Sequence, residues 1–186
     1  MPFDVQALEA PGLKLLRPRK FGDERGFFME LYNARDLLPT AIDPYFPQDN
    51  LAYSQQGVLR GLHFQAPPHA QAKLVGALRG TVRDVVVDLR RGSPTFGRHF
   101  SVDLDGDAPS LLYVPEGFAH GYAVHSPDAL ILYKVNRYYN KASEGGIHYG
   151  DPELGIDWGL EAPQISGKDA ALPRLSALTS PFVYEA

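Results

Sequence analysis

Cysteine is absent from the 186-residue chain. That excludes a disulfide framework, a thiolate metal site and a cysteine nucleophile together. A basic surplus is missing as well: 18 lysines and arginines stand against 22 aspartates and glutamates, a formal net charge of −4. A nucleic-acid-binding chain would carry the opposite imbalance. A local basic pocket remains compatible with this charge, and an anionic ligand would need one. No apolar run approaches the roughly 20 residues of a membrane helix. The opening Met-Pro-Phe-Asp-Val-Gln has neither the basic nor the apolar region of a secretory signal. A cytoplasmic protein without nucleic-acid or membrane partners is therefore expected. Also missing are the glycine-rich dinucleotide fingerprint, the P-loop, His-Glu-x-x-His and Gly-x-Ser-x-Gly. Redox chemistry on a Rossmann scaffold falls away with them.

Glycine and proline are plentiful, at 18 and 16 residues, and fall between short apolar runs. Those runs read as strands over Leu13 to Arg17, Gly26 to Leu31, Val58 to Phe64, Ala72 to Leu78 and Val82 to Leu89. They continue over His99 to Leu104, Leu111 to Val114, His120 to Val124 and Leu130 to Arg137. Turn signals such as Arg91-Gly92-Ser93-Pro94 and Asp105-Gly106-Asp107 separate them. Many short strands at spacings of about 8 to 12 residues point to an all-β sandwich or barrel. Helical periodicity is weak; the best candidate is a short helix over Ala34 to Leu38, closed by Pro39. From about Ser143 the chain turns loop-like, and this tail is expected to wrap over the β-core. The length suits one domain over 1–186.

One strand is chemically odd. Gly57-Val-Leu-Arg-Gly-Leu-His-Phe-Gln65 places Arg60 and His63 in an otherwise apolar run. Residues three apart on a regular strand face opposite sides. If both serve one ligand, Gly61 is the natural site of a bulge that re-aims the residues after it.

A further segment, Val114-Pro-Glu-Gly-Phe-Ala-His-Gly121, resembles the second half of the cupin signature. The first half would need His-x-His and a carboxylate, whereas His63 is followed by Phe64 and Gln65. Two histidines do not make a three- or four-ligand site, so no metal is expected. Read in order, the segments resemble one cupin-fold family: the nucleotide-sugar epimerases typified by dTDP-4-dehydrorhamnose 3,5-epimerase. The matching stretches are Phe21 to Glu30 (FGDERGFFME), Gln48 to Asn50 (QDN), Gly57 to Gln65, Lys73 to Gly97 and Tyr113 to Tyr122 (YVPEGFAHGY). Leu132 to Asn140 (LYKVNRYYN), Gly150 to Trp158 (GDPELGIDW) and Ile165 to Asp169 (ISGKD) complete them.

The resemblance implies an all-β, cupin-type jelly roll (a double-stranded β-helix) with short peripheral helices and a C-terminal wrapping segment. It implies a cofactor-independent epimerase acting at C3 and C5 of dTDP-4-keto-6-deoxy-D-glucose, on the way to dTDP-L-rhamnose. Both carbons lie α to the C4 ketone, so inversion needs a base on one ring face, a proton donor on the other and a stabiliser for the enolate oxygen. By resemblance His63 is the base, Asp169 its orienting carboxylate, Tyr133 the opposing acid and Lys73 the enolate stabiliser. Taken singly, each has an ordinary structural explanation: a bonded strand histidine, a capping aspartate, a core tyrosine, an edge lysine. The ordered motifs favour the joint catalytic reading.

Arg60, Arg25 and Lys168 match the family's phosphate- and substrate-binding positions. Glu30, Gln48, Asp49 and Asn50 match its ligand contacts, as do His120 and Glu144. Tyr139 resembles the aromatic that stacks on thymine. A homodimer is implied, with a strand or N-terminal region exchanged and Arg25 serving the neighbouring pocket. One departure stands out: Ala52 occupies a position where the family commonly has serine. A mono-epimerase of a related deoxysugar pathway and a non-catalytic nucleotide-sugar-binding cupin are the alternatives.

Overall fold

The computed structural model describes residues 3–185; residues 1, 2 and 186 of the expected domain lie outside the described residues. Short apolar runs between glycine and proline turns assemble into two antiparallel sheets. The six-stranded sheet has the order β1 (Phe3–Ala7), β2 (Lys14–Pro18), β10 (Leu111–Val114), β7 (Lys73–Arg79), β12 (Asp128–Val135) and β5 (Gln48–Gln55). The five-stranded sheet has the order β13 (Glu144–Gly146), β6 (Leu59–Gln65), β11 (Phe118–Val124), β8 (Thr81–Asp88) and β9 (His99–Asp105). A separate hairpin joins β3 (Phe21–Asp23) to β4 (Gly26–Phe28). Two single-turn helices, α1 (Ala34–Leu37) and α2 (Gly167–Ala170), are peripheral. Among the described residues no helix is long and apolar enough to cross a membrane.

The sheets pack face to face through Val75, Ala77 and Ile131 from one and Val82, Val86 and Val124 from the other. The five-stranded sheet is also covered on its outer face. There Leu59, Leu62, Val85 and Val87 meet Ile147, Leu154, Trp158 and Phe182 of the C-terminal segment. Burial on both faces explains the valine run of β8, where residues 84 to 88 are all buried and only Thr81 and Arg83 keep some exposure. The C-terminal tail therefore does wrap over the core, as its loop-like composition suggested.

Most expected strands are present, with shifted ends. Strand β12 stops at Val135, not at Arg137: beyond it the Ala72 N–H donates to the Asn136 side-chain oxygen at 2.8 Å in place of a backbone carbonyl, and the Asn136 amide donates to Glu116 at 2.9 Å. The expected helix at Ala34 ends at Leu37, with Asn33 capping its start. Strand β5 was not expected at all. Its Gln-Asp-Asn-Leu-Ala-Tyr-Ser-Gln sequence looks like a polar loop, yet it pairs with β12 along its whole length.

Strand β6 has the expected irregularity. His120 faces His63 and Tyr122 faces Arg60, so three steps on β6 oppose two on β11. Gly61 absorbs the extra residue at φ +121°, a region costly for any side chain. The slip restarts the alternation: Leu59 and Leu62 enter the outer core, while Arg60 and His63 face the space between the sheets. The neighbouring strand comes very close, and a Cβ built on Gly61 would lie 2.5 Å from Gly121 Cα and 2.8 Å from the His120 carbonyl oxygen. Gly61→Ala is expected to destabilise the fold by about 2–4 kcal/mol, combining backbone strain with overpacking. Denaturant unfolding measures this, and a loss under about 1 kcal/mol would show that the crossing can relax.

Candidate active site

A cavity of about 520 Å³ opens between the sheets at the end where the core stops, lined from both walls. His63, Arg60, His120 and Tyr122 come from the five-stranded sheet, Lys73, Tyr133 and Ala52 from the six-stranded one. The stretch Gln164 to Asp169 closes one side. That closing segment is tied to the start of β6: Gln164 N–H donates to the Gly57 carbonyl at 2.8 Å, and Leu59 N–H donates to the Gln164 carbonyl at 3.0 Å. Ser166 caps α2 by accepting from the Asp169 N–H at 3.0 Å.

The tie delivers Asp169 to His63. Asp169 Oδ1 lies 2.7 Å from His63 Nε2, and Oδ2 accepts from the Gly61 N–H at 3.2 Å. Because a carboxylate only accepts, Nε2 carries the hydrogen and Nδ1 keeps a free lone pair. Burial lowers the His63 pKa from its ordinary 6.5, with Lys73 and Lys168 adding to the effect, while Asp169 opposes it. The imidazole is thus held neutral at pH 7, the form a base requires.

Lys73 faces this dyad, with Nζ 3.4 Å from the His63 carbonyl oxygen. Its burial brings the pKa from 10.5 to about 8, partly offset by the charge of Asp84. Tyr133, also on the six-stranded sheet, has a pKa raised by burial and by Tyr122, so its hydroxyl keeps its proton. Beyond them a second buried pair forms, with His120 Nε2 at 2.8 Å from Asp84 Oδ2. Arg60 is aimed by Ser54, whose hydroxyl oxygen accepts from Nε at 3.0 Å and lies 3.2 Å from the Tyr122 hydroxyl.

A smaller lobe of about 180 Å³ adjoins the first and shares His63, Lys73 and Tyr133 with it. Gln48, Asn50, Tyr139 and Glu144 line it. Tyr139 is positioned by its N–H, which donates to Gln48 Oε1 at 3.0 Å, and Lys168 reaches Glu144 at 2.5 Å. Three expected contacts are not made within the chain. Asp49 is turned outward by the alternation of β5 and pairs with Lys134 at 2.5 Å. Arg25 sits on the exposed hairpin, paired with Asp23 at 2.5 Å. Glu30 is exposed beside α1, accepting from Asn33. Asp84, Ser54 and Tyr122 were missed. For Asp84 a signal existed, since an aspartate inside Val-Arg-Asp-Val-Val-Val demands a buried partner. Among the described residues no group of three or more His, Asp or Glu is placed to hold a metal ion.

A two-sheet jelly roll with a polar cavity in its mouth places the chain in the cupin class. Comparison with known proteins narrows the class. The family model for dTDP-4-dehydrorhamnose 3,5-epimerase matches residues 7–177, and the chain belongs to that family. A dTDP-4-dehydrorhamnose 3,5-epimerase of Salmonella typhimurium is 46% identical, covering 89% of this chain and 91% of that one. The crystal structure of dTDP-6-deoxy-D-glucose-3,5-epimerase from Legionella pneumophila, in complex with dTDP-4-keto-L-rhamnose, superimposes with a TM-score of 0.95. It is 44% identical, over 99% of this chain and 100% of that one. A 3′-monoepimerase from Streptomyces bikiniensis, in complex with dTDP-quinovose, gives a TM-score of 0.87 at 33% identity, over 92% and 87% of the two chains.

Removing the Asp169 charge takes away its upward pull on the imidazole. In Asp169→Asn the His63 titration midpoint, already below 6.5, is expected to fall further in an NMR pH titration. A midpoint that stays or rises would contradict the coupling.

Proposed function

We propose that the protein is a cofactor-independent epimerase that inverts C3 and C5 of dTDP-4-keto-6-deoxy-D-glucose. The product would be dTDP-4-keto-6-deoxy-L-mannose, and the unit of function the single cupin-like domain over 1–186. One observation carries the reading: His63 and Tyr133 stand on facing sheets, on opposite walls of one cavity, with Lys73 between the two lobes. A flat ring held between those walls would present one face to a base and the other to an acid.

In this reading His63 Nδ1 takes the proton α to the ketone. The charge moves to O4, where the Lys73 ammonium, populated below its pKa of about 8, stabilises it. Tyr133 then protonates the same carbon from the far face. Each inversion leaves a protonated imidazole and a tyrosinate, which exchange with solvent before the second carbon reacts. Arg60 and Lys168, lining the larger lobe, would take the diphosphate. Arginine offers a forked donor and lysine a point charge. Gln48, Asn50 and Tyr139 would receive the nucleoside, and His120 a sugar oxygen.

Turnover in deuterium oxide, followed by NMR at C3 and C5, tests the reading. Label should enter both carbons, His63→Ala should lose about a hundred- to ten-thousandfold in rate, and Tyr133→Phe should exchange more than it inverts. Label at one carbon only would favour the mono-epimerase reading, which the similarity to the Streptomyces bikiniensis enzyme and the Ala52 methyl in the cavity wall keep open. Full activity in His63→Ala would overturn the mechanism.

The same reading includes a homodimer. The hairpin β3–β4 stands apart from both sheets with Phe21, Phe27 and Phe28 exposed, and the edge strand β5 turns Leu51 and Tyr53 outward. Arg25, 86% exposed at the hairpin tip, would complete the pocket of the second copy. Light scattering should give about twice 20.5 kDa. Mixing inactive His63→Ala with impaired Arg25→Ala protein should restore part of the activity through hybrid dimers. No recovery after subunit exchange would place Arg25 outside the partner's site.

A further inference from the structure

Gln65 closes the stretch Gly57 to Gln65, and the proposed function gives it no part. It ends β6, is only 4% exposed, and lines the smaller lobe with His63, two residues earlier on the same strand face. Its amide is fully used. Oε1 accepts from the Asn140 N–H at 2.6 Å, while Nε2 donates to the His69 carbonyl at 2.8 Å and to the Tyr138 carbonyl at 3.5 Å. An N–H on one side and two carbonyls on the other fix which end of the amide points where. The loop it grips, residues 137–140, belongs to no strand or helix. Side-chain amides hold its backbone instead: Gln71 donates to the Arg137 carbonyl at 2.7 Å, and the Tyr139 N–H donates to Gln48 at 3.0 Å. Of these three glutamines Gln65 is the buried one. Tyr138 and Tyr139 are 66% and 55% exposed, so core packing does not fix them.

We infer that Gln65 is a positioning residue whose amide sets where Tyr139 stands relative to His63. The inference rests on the proposed function, which gives Tyr139 the nucleoside and His63 the reacting carbon. Those two parts of the ligand are joined by a diphosphate of limited reach, so the aromatic ring and the base must stand a matching distance apart. Strand β6 supplies both ends of that measure. His63 carries the imidazole, and Gln65 carries the amide that holds the aromatic loop. Its bonds go to Tyr138 and Asn140, the residues immediately before and after Tyr139. Gripped on both flanks, the backbone at 139 has little freedom to shift along the lobe. The amide acts through Tyr139, not on the reacting sugar.

Calorimetric titration of the wild type, Gln65→Met, Tyr139→Ala and the double variant with dTDP tests this, with inorganic pyrophosphate as a second probe. Methionine fills a similar space and offers the loop no hydrogen bond. Gln65→Met should bind dTDP about five- to hundredfold more weakly, the range for one base–aromatic stack. Its pyrophosphate affinity should stay within about twofold of wild type, because Arg60 and Lys168 lie outside the loop. In the Tyr139→Ala background the same substitution should cost dTDP binding nothing further. Gln65→Glu keeps the acceptor for Asn140 and gives up the donors. Its smaller loss of dTDP affinity carries the test if the methionine variant does not fold. Unchanged dTDP affinity in the Gln65 variants would overturn the inference. So would an equal loss for pyrophosphate, or an undiminished loss in the Tyr139→Ala background, either of which would mark general damage to the fold. Wild-type protein that failed to bind dTDP would overturn the proposed function together with the inference. Normal wild-type binding with any of the other failures would overturn the inference alone.

Discussion

The contact on which the rest depends is the crossing of Gly61 over Gly121. Neither position has room for a side chain: a Cβ on Gly121 would meet the Arg60 carbonyl oxygen at 2.5 Å, as one on Gly61 would meet Gly121 itself. The close approach lets β6 carry one more residue than β11 across the same span. Arg60 and His63 then share a face, and the Gly61 N–H becomes the donor that holds Asp169. One backbone irregularity therefore orients the dyad at both ends. It places His63 in the cavity and fixes the carboxylate that selects its tautomer.

Charge is distributed around this crossing in a way that net charge hides. A chain with formal charge −4 gathers Arg60, Lys73 and Lys168 around one cavity. The opposing carboxylates are mostly committed, Asp84 to His120 and Asp169 to His63. Among the described residues Lys73 has no carboxylate in hydrogen-bonding contact, and it depends on more distant Asp84 for its compensation. A buried ammonium held this way costs desolvation energy and lowers its own pKa. The same desolvation makes its field strong at any oxygen brought beside it.

Much of this was legible in the sequence, and the limits have physical causes. Alternation and turn residues gave the β-rich fold, and the misplaced polarity of Arg60 and His63 forecast the slip at Gly61. Strand β5 escaped because its inward side chains, Gln48, Asn50 and Ser54, line or brace a polar cavity and not a core. A strand facing a ligand site lacks the apolar half of its pattern. Asp49 was grouped with its neighbours by motif, but the two-residue period turns it to the opposite face. Arg25 and Glu30 carry the family's pattern on a segment that one chain does not bring to its own cavity. Motifs follow the order of the chain; they do not report which of their residues the fold brings together.

The dyad itself joins positions 106 residues apart in the chain. Its carboxylate arrives on the segment that also covers the outer face of the five-stranded sheet, through Ile147, Leu154, Trp158 and Phe182. A contact of such sequence separation carries a large loop-closure cost, which it shares with the β2–β10 pairing. The paired state of His63 is thus a property of the chain through residue 169. A ribosome-bound fragment ending before residue 169 could hold most of both sheets and still leave His63 without its carboxylate partner. The His63–Asp169 pair would exist only once the tail has docked.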